Sequence, residues 1–151
     1  MAGEQIIVCD LDGTLCDVEH RRHFVERPHG VRKDWDAFFA GALDDKVIKP
    51  VLDLLYMVSE YSTVIFCTGR PERCRADTVA WLEKHAFPFS QCELYMRKHG
   101  DFRPDDIVKQ EILDTHIDKD RVLFVLDDRD QVVNMWRRNG LACFQVADGN
   151  F

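Results

Sequence analysis

The fold is decided by residues 6–15, Ile-Ile-Val-Cys-Asp-Leu-Asp-Gly-Thr-Leu, where an apolar run leads into two aspartates and a glycine. Side chains alternate along a strand, so Asp10 and Asp12 would share a face if the strand continued through them. Gly13 ends the strand and leaves both carboxylates at its carboxyl end, where ligands collect in an open parallel sheet. The plainer interpretation is an acidic turn. A calcium loop has similar spacing, but the further acidic positions that it needs are absent.

The composition indicates one globular domain. The 151 residues, 46% of them hydrophobic, suffice for one core and are too few for two ordinary domains, so we expect a single domain over residues 1–151. No stretch approaches the ~20 apolar residues of a membrane span, and the amino-terminal sequence lacks a signal-peptide pattern. We therefore expect a cytoplasmic protein with no membrane association. The six cysteines show no Cys-x-x-Cys spacing, which favours reduced, buried thiols.

Charge is distributed unevenly along the chain. The net charge is -7, yet the segment from His20 to Lys33 carries five arginines and lysines against one glutamate. An acidic protein with one basic segment suits an anionic ligand that binds at a defined place.

Apolar runs alternate with amphipathic segments after residue 49. We predict strands at 6–9, 63–67, 93–96, 122–126 and 141–146, and helices that begin at Pro50, Pro71, Pro104 and Asp130. This alternation predicts an α/β fold, a Rossmann-like doubly wound parallel sheet with helices on both faces.

Residues 15–49 are the least regular part and form a small helical cap insertion in this prediction. Trp35, Phe38 and Phe39 follow a potential N-cap at Asp34 with helical spacing. That spacing favours packing of the aromatic rings over stacking on bases.

Polar clusters follow three of the predicted strands. They are Asp10 with Asp12, the expected turn 68–71 (Thr-Gly-Arg-Pro), and Asp127 with Asp128, while Lys109 lies near the start of a helix. Four carboxylates in one crevice would repel one another unless a divalent cation bound there, and a set of oxygen ligands favours Mg²⁺.

These clusters, in this order, resemble the four-motif pattern of the haloacid dehalogenase superfamily of phosphotransferases. More narrowly, the chain resembles the phosphatase domain of the phage-type polynucleotide kinase/phosphatase, from about Ile6 to its last residue. The segments that carry the narrower resemblance are 68–70, 100–109, 127–133, 135–138 and 145–151.

The resemblance implies roles for the clustered side chains. Asp10 would attack phosphorus, and Asp12 would act as general acid and then general base. Thr68 would hydrogen-bond a phosphoryl oxygen, unless it only starts a turn. Lys109 would balance the negative charge of Asp10 and the phosphate; the alternative is an ordinary surface pair with Asp105, four residues earlier.

The metal ligands implied by the resemblance are Asp10, the main-chain carbonyl of Asp12, and one acid after the fourth strand. Asp128 is the first choice for that acid and Asp127 the second.

The resemblance also implies substrate-binding residues, which are Arg21, Gly69, Arg70 and Asp105. The two arginines would bind phosphate, and Asp105 would orient them or Lys109. Arg21 is also consistent with a solvated charge.

Together these features predict a Mg²⁺-dependent phosphomonoesterase that removes a 3′-phosphate from nucleic-acid ends or nucleotides. The alternatives are a phosphatase of small metabolites or nucleoside monophosphates, and a non-catalytic nucleic-acid-end binder that works with a kinase or ligase. The sequence contains no Gly-x-x-x-x-Gly-Lys-Ser/Thr phosphate loop, so we do not expect it to phosphorylate 5′ ends. A separate kinase or ligase is a possible partner.

Overall fold

A computed structural model describes residues 4–151 and contains a five-stranded parallel sheet. In chain order the main elements are β1 (Gln5–Cys9), β2 (Cys16–Asp17), α1 (Trp35–Ala40), β3 (Lys46–Val47), α2 (Lys49–Val58), β4 (Ser62–Pro71), α3 (Arg75–His85), β5 (Leu94–Arg97), α4 (Asp105–His116), β6 (Val122–Asp127), α5 (Asp130–Arg138) and β7 (Cys143–Gln145). The strand order is β5-β4-β1-β6-β7, which confirms the predicted doubly wound α/β fold.

The central strand β1 is covered on both faces. Ile7 and Cys9 point into a core that includes residues of α2 and α3, whereas Ile6 and Val8 point into a second core with α4 and α5. Because β1 lies between β4 and β6, its carboxyl end is the switch point of the sheet, where doubly wound folds form their ligand crevice.

The segment after residue 67 differs from the sequence prediction. Residues 68–71 continue β4 instead of forming a turn, because Pro71 is extended and pairs with Arg97 of β5. A 3₁₀ turn (Glu72–Cys74) follows, so α3 begins at Arg75 and not at Pro71. The buried residues of α3 are Thr78, Trp81 and Leu82.

Residues 15–49 contain more regular structure than the sequence indicated. β2 and β3 pair in an antiparallel fashion and bring the start and end of the segment together. The Asp34 carboxylate accepts a hydrogen bond from the Ala37 amide at 3.0 Å, which confirms the predicted N-cap of α1. Phe38 is buried, whereas Trp35 is 45% exposed although its ring contacts Phe38 and Phe39, so the aromatic face of α1 is only partly buried.

Most of the cysteine side chains are buried, as the sequence predicted. All six cysteines are free, and five of them are buried. Among residues 4–151, no helix has both the length and the apolar character needed to cross a membrane.

Candidate active site

The carboxyl ends of β1, β4 and β6 open into one cleft of about 1080 Å³. Asp10 follows β1, Thr68 lies in β4, and Asp127 ends β6. Lys109 reaches the same cleft from α4. The sheet order therefore brings together the polar clusters that the sequence places far apart.

Lys109 connects two of the buried carboxylates. Its Nζ donates hydrogen bonds to Asp10 Oδ1 and Asp127 Oδ2, both at 2.9 Å, and its side chain is buried. Burial opposes the charge of Lys109, but the negative charges of Asp10 and Asp127 raise its pKa well above the usual value. A surface pair between Lys109 and Asp105 is therefore excluded.

The carboxylates around this lysine are crowded. Asp10, Asp127 and Asp128 each offer an oxygen within 4.8 Å of the others, and all three residues are buried. Burial, and then repulsion from Asp127, raises the pKa of Asp10 well above its usual value. One ammonium group cannot neutralise three carboxylates, so this donor set is suited to a hard divalent cation.

Asp127 and Asp128 differ in their hydrogen bonds. Asp127 Oδ1 accepts from the backbone amides of Asp128 and Arg129, and its Oδ2 accepts from Lys109 and from Trp136 Nε1 at 3.2 Å. Four N–H donors thus occupy the Asp127 carboxylate, whereas Asp128 Oδ1 lies 3.2 Å from the Thr14 hydroxyl. Asp128 is therefore the better placed of the two to bind a metal directly.

Gly13 allows Asp128 to approach the turn after β1. Its φ is +82°, and a Cβ atom at this position would lie 2.1 Å from Asp128 Oδ2. Both the backbone conformation and the space therefore require glycine.

A comparison of two glycines tests this contact. Gly30 has a similar φ of +84° but no atom within 4 Å of a potential Cβ. We expect Gly30→Ala to cost about 1 kcal/mol of unfolding free energy through its backbone alone. Gly13→Ala should cost at least about 2 kcal/mol more, because the Asp128 carboxylate must also move. Equal losses for the two variants in denaturant unfolding would contradict this assignment.

Asp12 lies in a second cluster, apart from the three buried carboxylates. Its Oδ1 accepts from Arg21 Nη2 at 2.8 Å and from Arg70 Nε at 3.0 Å. Burial opposes ionisation of Asp12, but the charges of Arg70 and Arg21 more than offset this effect and lower its pKa to about 2. The expectation that four carboxylates crowd one point is therefore corrected: three do, and Asp12 is neutralised by arginines.

Asp45 completes this cluster and was missed by the sequence analysis. Its two oxygens accept from Arg21 Nε and Nη2, both at 2.7 Å, so the ion pair is bidentate. Arg21 and Arg70 are both buried, which rules out a solvated charge at Arg21. Their guanidinium groups bind Asp12 and Asp45, and the prediction that they also bind phosphate stays a prediction.

Asp105 forms a third cluster with two further residues that sequence reasoning missed. Its carboxylate pairs with Arg97 and, at 2.9 Å, with Arg129 Nη1. Asp105 therefore makes no hydrogen bond to Arg21, Arg70 or Lys109, contrary to the expectation that it orients one of them. Gly69 lies against it, since a Cβ there would be 2.5 Å from Asp105 Oδ1.

Thr68 is buried in the wall of the cleft. Its Oγ1 accepts a hydrogen bond from the Arg70 amide at 3.1 Å, which leaves the hydroxyl proton available to a ligand. The turn expected at this position is absent from the structure of β4.

The fold and this arrangement of side chains define a phosphatase of the haloacid dehalogenase type. A haloacid dehalogenase-like hydrolase from Streptococcus pneumoniae has the same fold, with a TM-score of 0.66 and 14% identity over 94% of this chain and 84% of that chain. The class C acid phosphatase from Bacillus anthracis with tungstate bound gives a TM-score of 0.60 and 17% identity, over 84% of this chain and 53% of that chain.

The chain belongs to the family of the polynucleotide kinase PNKP phosphatase domain, whose sequence profile matches residues 4–151. It is also 34% identical to a chain in the structure of the Pnkp1/Rnl/Hen1 RNA repair complex, with a TM-score of 0.80 over 98% of this chain and 44% of that one. This chain therefore spans less than half the length of that relative. The family and the phosphatase class predicted from the motifs are both confirmed.

Proposed function

We propose that the chain is a Mg²⁺-dependent phosphomonoesterase that removes a 3′-phosphate from nucleic-acid ends or nucleotides. The observation that carries this proposal is the placement of Asp10: it lies at the switch point of the sheet, bound to Lys109 and beside Asp127 and Asp128, in an open cleft that Asp12 also lines. Membership of the PNKP phosphatase-domain family supports the choice of a nucleic-acid 3′-phosphate as substrate.

Asp10 acts as the nucleophile in this proposal. A carboxylate oxygen forms a bond to phosphorus while the bond from phosphorus to the leaving 3′-oxygen breaks, which gives an aspartyl-phosphate. Lys109 fixes the orientation of the Asp10 carboxylate. Its hydrogen bond holds Asp10 Oδ1 and leaves Oδ2 facing Thr14. Thr68 donates its hydroxyl proton to a phosphoryl oxygen.

Asp12 supplies and then recovers a proton. It is ionised in the free site at neutral pH, since its pKa is lowered to about 2. The negative phosphate beside it favours the protonated form, so Asp12 takes up a proton on substrate binding and donates it to the leaving oxygen. In the second step Asp12 accepts a proton from water, whose oxygen attacks phosphorus and releases Asp10 with inorganic phosphate.

Asp10 and Asp128, with the main-chain carbonyl of Asp12, are the residues that would hold Mg²⁺. The ion, when bound, reduces repulsion between the anionic nucleophile and the anionic substrate. Asp127 has a supporting role, because its four hydrogen bonds fix Lys109 and the backbone that presents Asp128.

Metal binding should be detectable by thermal unfolding, without any measurement of catalysis. We expect Mg²⁺ to raise the melting temperature, since a ligand that binds only the folded state at about 100 times its Kd adds about 2.7 kcal/mol. Asp128→Asn should lose most of this shift, and Asp53→Asn, which changes an exposed carboxylate on α2, should keep it. A full Mg²⁺ shift in Asp128→Asn, measured by thermal unfolding, would show that Asp128 is not a ligand.

A substrate panel decides between the candidate functions. Phosphate release would be measured, with and without Mg²⁺, from a 3′-phosphorylated oligonucleotide, a 5′-phosphorylated oligonucleotide, nucleotides and sugar phosphates. We expect the 3′-phosphate to be preferred and the release to require Mg²⁺. Preference for sugar phosphates would favour a metabolite phosphatase, and oligonucleotide binding without any release would favour a non-catalytic end binder.

The proposal extends to partners. A chain of the matched structure is part of an RNA repair complex, and this chain covers only a part of that one. We propose that a kinase or ligase acts on the same nucleic-acid ends as this phosphatase.

A further inference from the structure

Two aromatic side chains at the cleft expose much of their surface. Trp35, on α1, is 45% exposed, and Phe102, in the loop between β5 and α4, is 94% exposed. Both residues line the cleft that contains Asp10 and Asp12. Burial of apolar surface cannot be the reason for an aromatic ring at Phe102, because almost none of its surface is buried.

Trp35 belongs to an aromatic layer that extends from solvent to Asp12. Its ring stacks on Phe39 with centroids 5.8 Å apart and 24° between the planes, and it meets Phe38 edge-on at 5.8 Å. The Arg21 guanidinium lies 4.2 Å from the Phe38 ring centroid, and the same group binds Asp12. Trp35 is therefore connected to Asp12 by a chain of contacts through Phe38 and Arg21.

Basic side chains lie near both aromatic residues. Lys33 Nζ lies 5.6 Å from the Trp35 ring centroid, and Lys98, whose side chain is exposed, lies in the same loop as Phe102. These basic residues also line the cleft. In a protein whose net charge is -7, this combination is typical of a surface that binds single-stranded nucleic acid, where bases stack on rings and phosphates meet cations.

We propose that this aromatic rim, formed by Trp35 with Lys33 and Phe102 with Lys98, binds the unpaired nucleotides next to the 3′-phosphate. The inference rests on the proposed function. Asp12 protonates the leaving oxygen, so the leaving nucleoside lies on the Asp12 side of the phosphate, where the aromatic layer begins. Base pairs inside a duplex have their faces covered by their neighbours, and a mononucleotide offers one base to the two rings. Ring stacking therefore selects single-stranded ends over duplex ends and over mononucleotides.

The test uses Trp35→Ala, Phe102→Ala and the double variant, with Tyr61→Ala as the matched control. Tyr61 is 80% exposed and follows α2, outside the cleft. Substrates are a 3′-phosphorylated single strand, as DNA and as RNA, the same strand in a blunt duplex, a 3′-phosphorylated mononucleotide, and para-nitrophenyl phosphate.

We expect the single strand to have a kcat/KM about 10- to 100-fold higher than the mononucleotide or the duplex. Each single variant should lower the ratio of single-strand to para-nitrophenyl phosphate kcat/KM about 10-fold, mainly through KM, and the double variant about 100-fold. Tyr61→Ala should leave every ratio unchanged.

Two results would overturn the inference while leaving the proposed function intact. One is equal kcat/KM for mononucleotide, single strand and duplex, and the other is an unchanged substrate ratio in both single variants. A third result is different in kind: hydrolysis of para-nitrophenyl phosphate with no release from any 3′-phosphorylated substrate would reject the proposed function itself. The DNA and RNA arms show whether the rim distinguishes the two sugars.

Discussion

Asp10→Asn should lower kcat more than about 1000-fold, which corresponds to about 4 kcal/mol in the activation barrier. The amide has nearly the same shape as the carboxylate, but it is a poor nucleophile and cannot form the aspartyl-phosphate. Burial and the negative charge of Asp127 both disfavour ionisation of Asp10, so the neutral amide should not reduce the melting temperature.

The measurement is steady-state hydrolysis of a 3′-phosphorylated oligonucleotide together with thermal unfolding. Asp53→Asn makes the same chemical change on the exposed face of α2 and should retain full activity. If Asp10→Asn hydrolysed the substrate at the same rate as the unaltered protein, covalent catalysis by Asp10 would be wrong, whichever substrate the protein uses.

Lys109→Met should have the largest effect on stability. The substitution leaves Asp10 and Asp127 buried without the ammonium group that binds both, and breaking a buried ion pair in this way costs about 3–5 kcal/mol. Activity should fall as well, because Asp10 loses the hydrogen bond that fixes its orientation.

A double-mutant cycle identifies the origin of this loss. Asp127→Asn in the Lys109→Met background removes one unpaired charge and should restore about 1–3 kcal/mol of the unfolding free energy. Lys119→Met is the control on the exposed surface and should change stability by less than about 0.5 kcal/mol. Equal losses for Lys109→Met and Lys119→Met, measured by denaturant unfolding, would mean that the buried bridge does not stabilise the fold.

The sheet and its central aspartates could be predicted from the sequence because their signals are local. A continuous apolar run such as 122–126 predicts a buried strand by itself, and an aspartate directly after it predicts a polar strand end. The parallel order of the sheet then brings Asp10, Thr68 and Asp127 together without any information about side-chain contacts.

Partners of the buried arginines could not be predicted in this way. Asp45 stands between Asp44 and Lys46, in a run that is typical of a solvated surface, and only the folded chain places it against Arg21. The same limit applies to Asp105, which binds Arg97 at the end of β5 and Arg129 between β6 and α5, two residues that are distant from each other in sequence. Physical chemistry predicts only that a buried guanidinium needs a carboxylate partner, and the sequence does not say which carboxylate it is.

The exposure of Trp35 could not be predicted for a different reason. Helical spacing predicted which side of α1 is apolar, and Phe38 is indeed buried there. Periodicity does not indicate whether an apolar side meets the core or an open cleft, because both environments favour the same residues. The exposed fraction of the ring, and its place in the cleft that Asp12 also lines, are properties of the tertiary structure alone.

The short pairing of β2 with β3 has a consequence for how this phosphatase can diversify. It closes residues 15–49 into a loop whose two ends meet, a connection that would normally let one recognition segment be exchanged for another. Here the loop also carries Arg21, which donates a hydrogen bond to Asp12, and Asp45, which binds Arg21. Exchange of the segment would therefore remove Arg21, one of the two arginines that lower the pKa of Asp12, so that specificity and proton transfer are coupled in this protein.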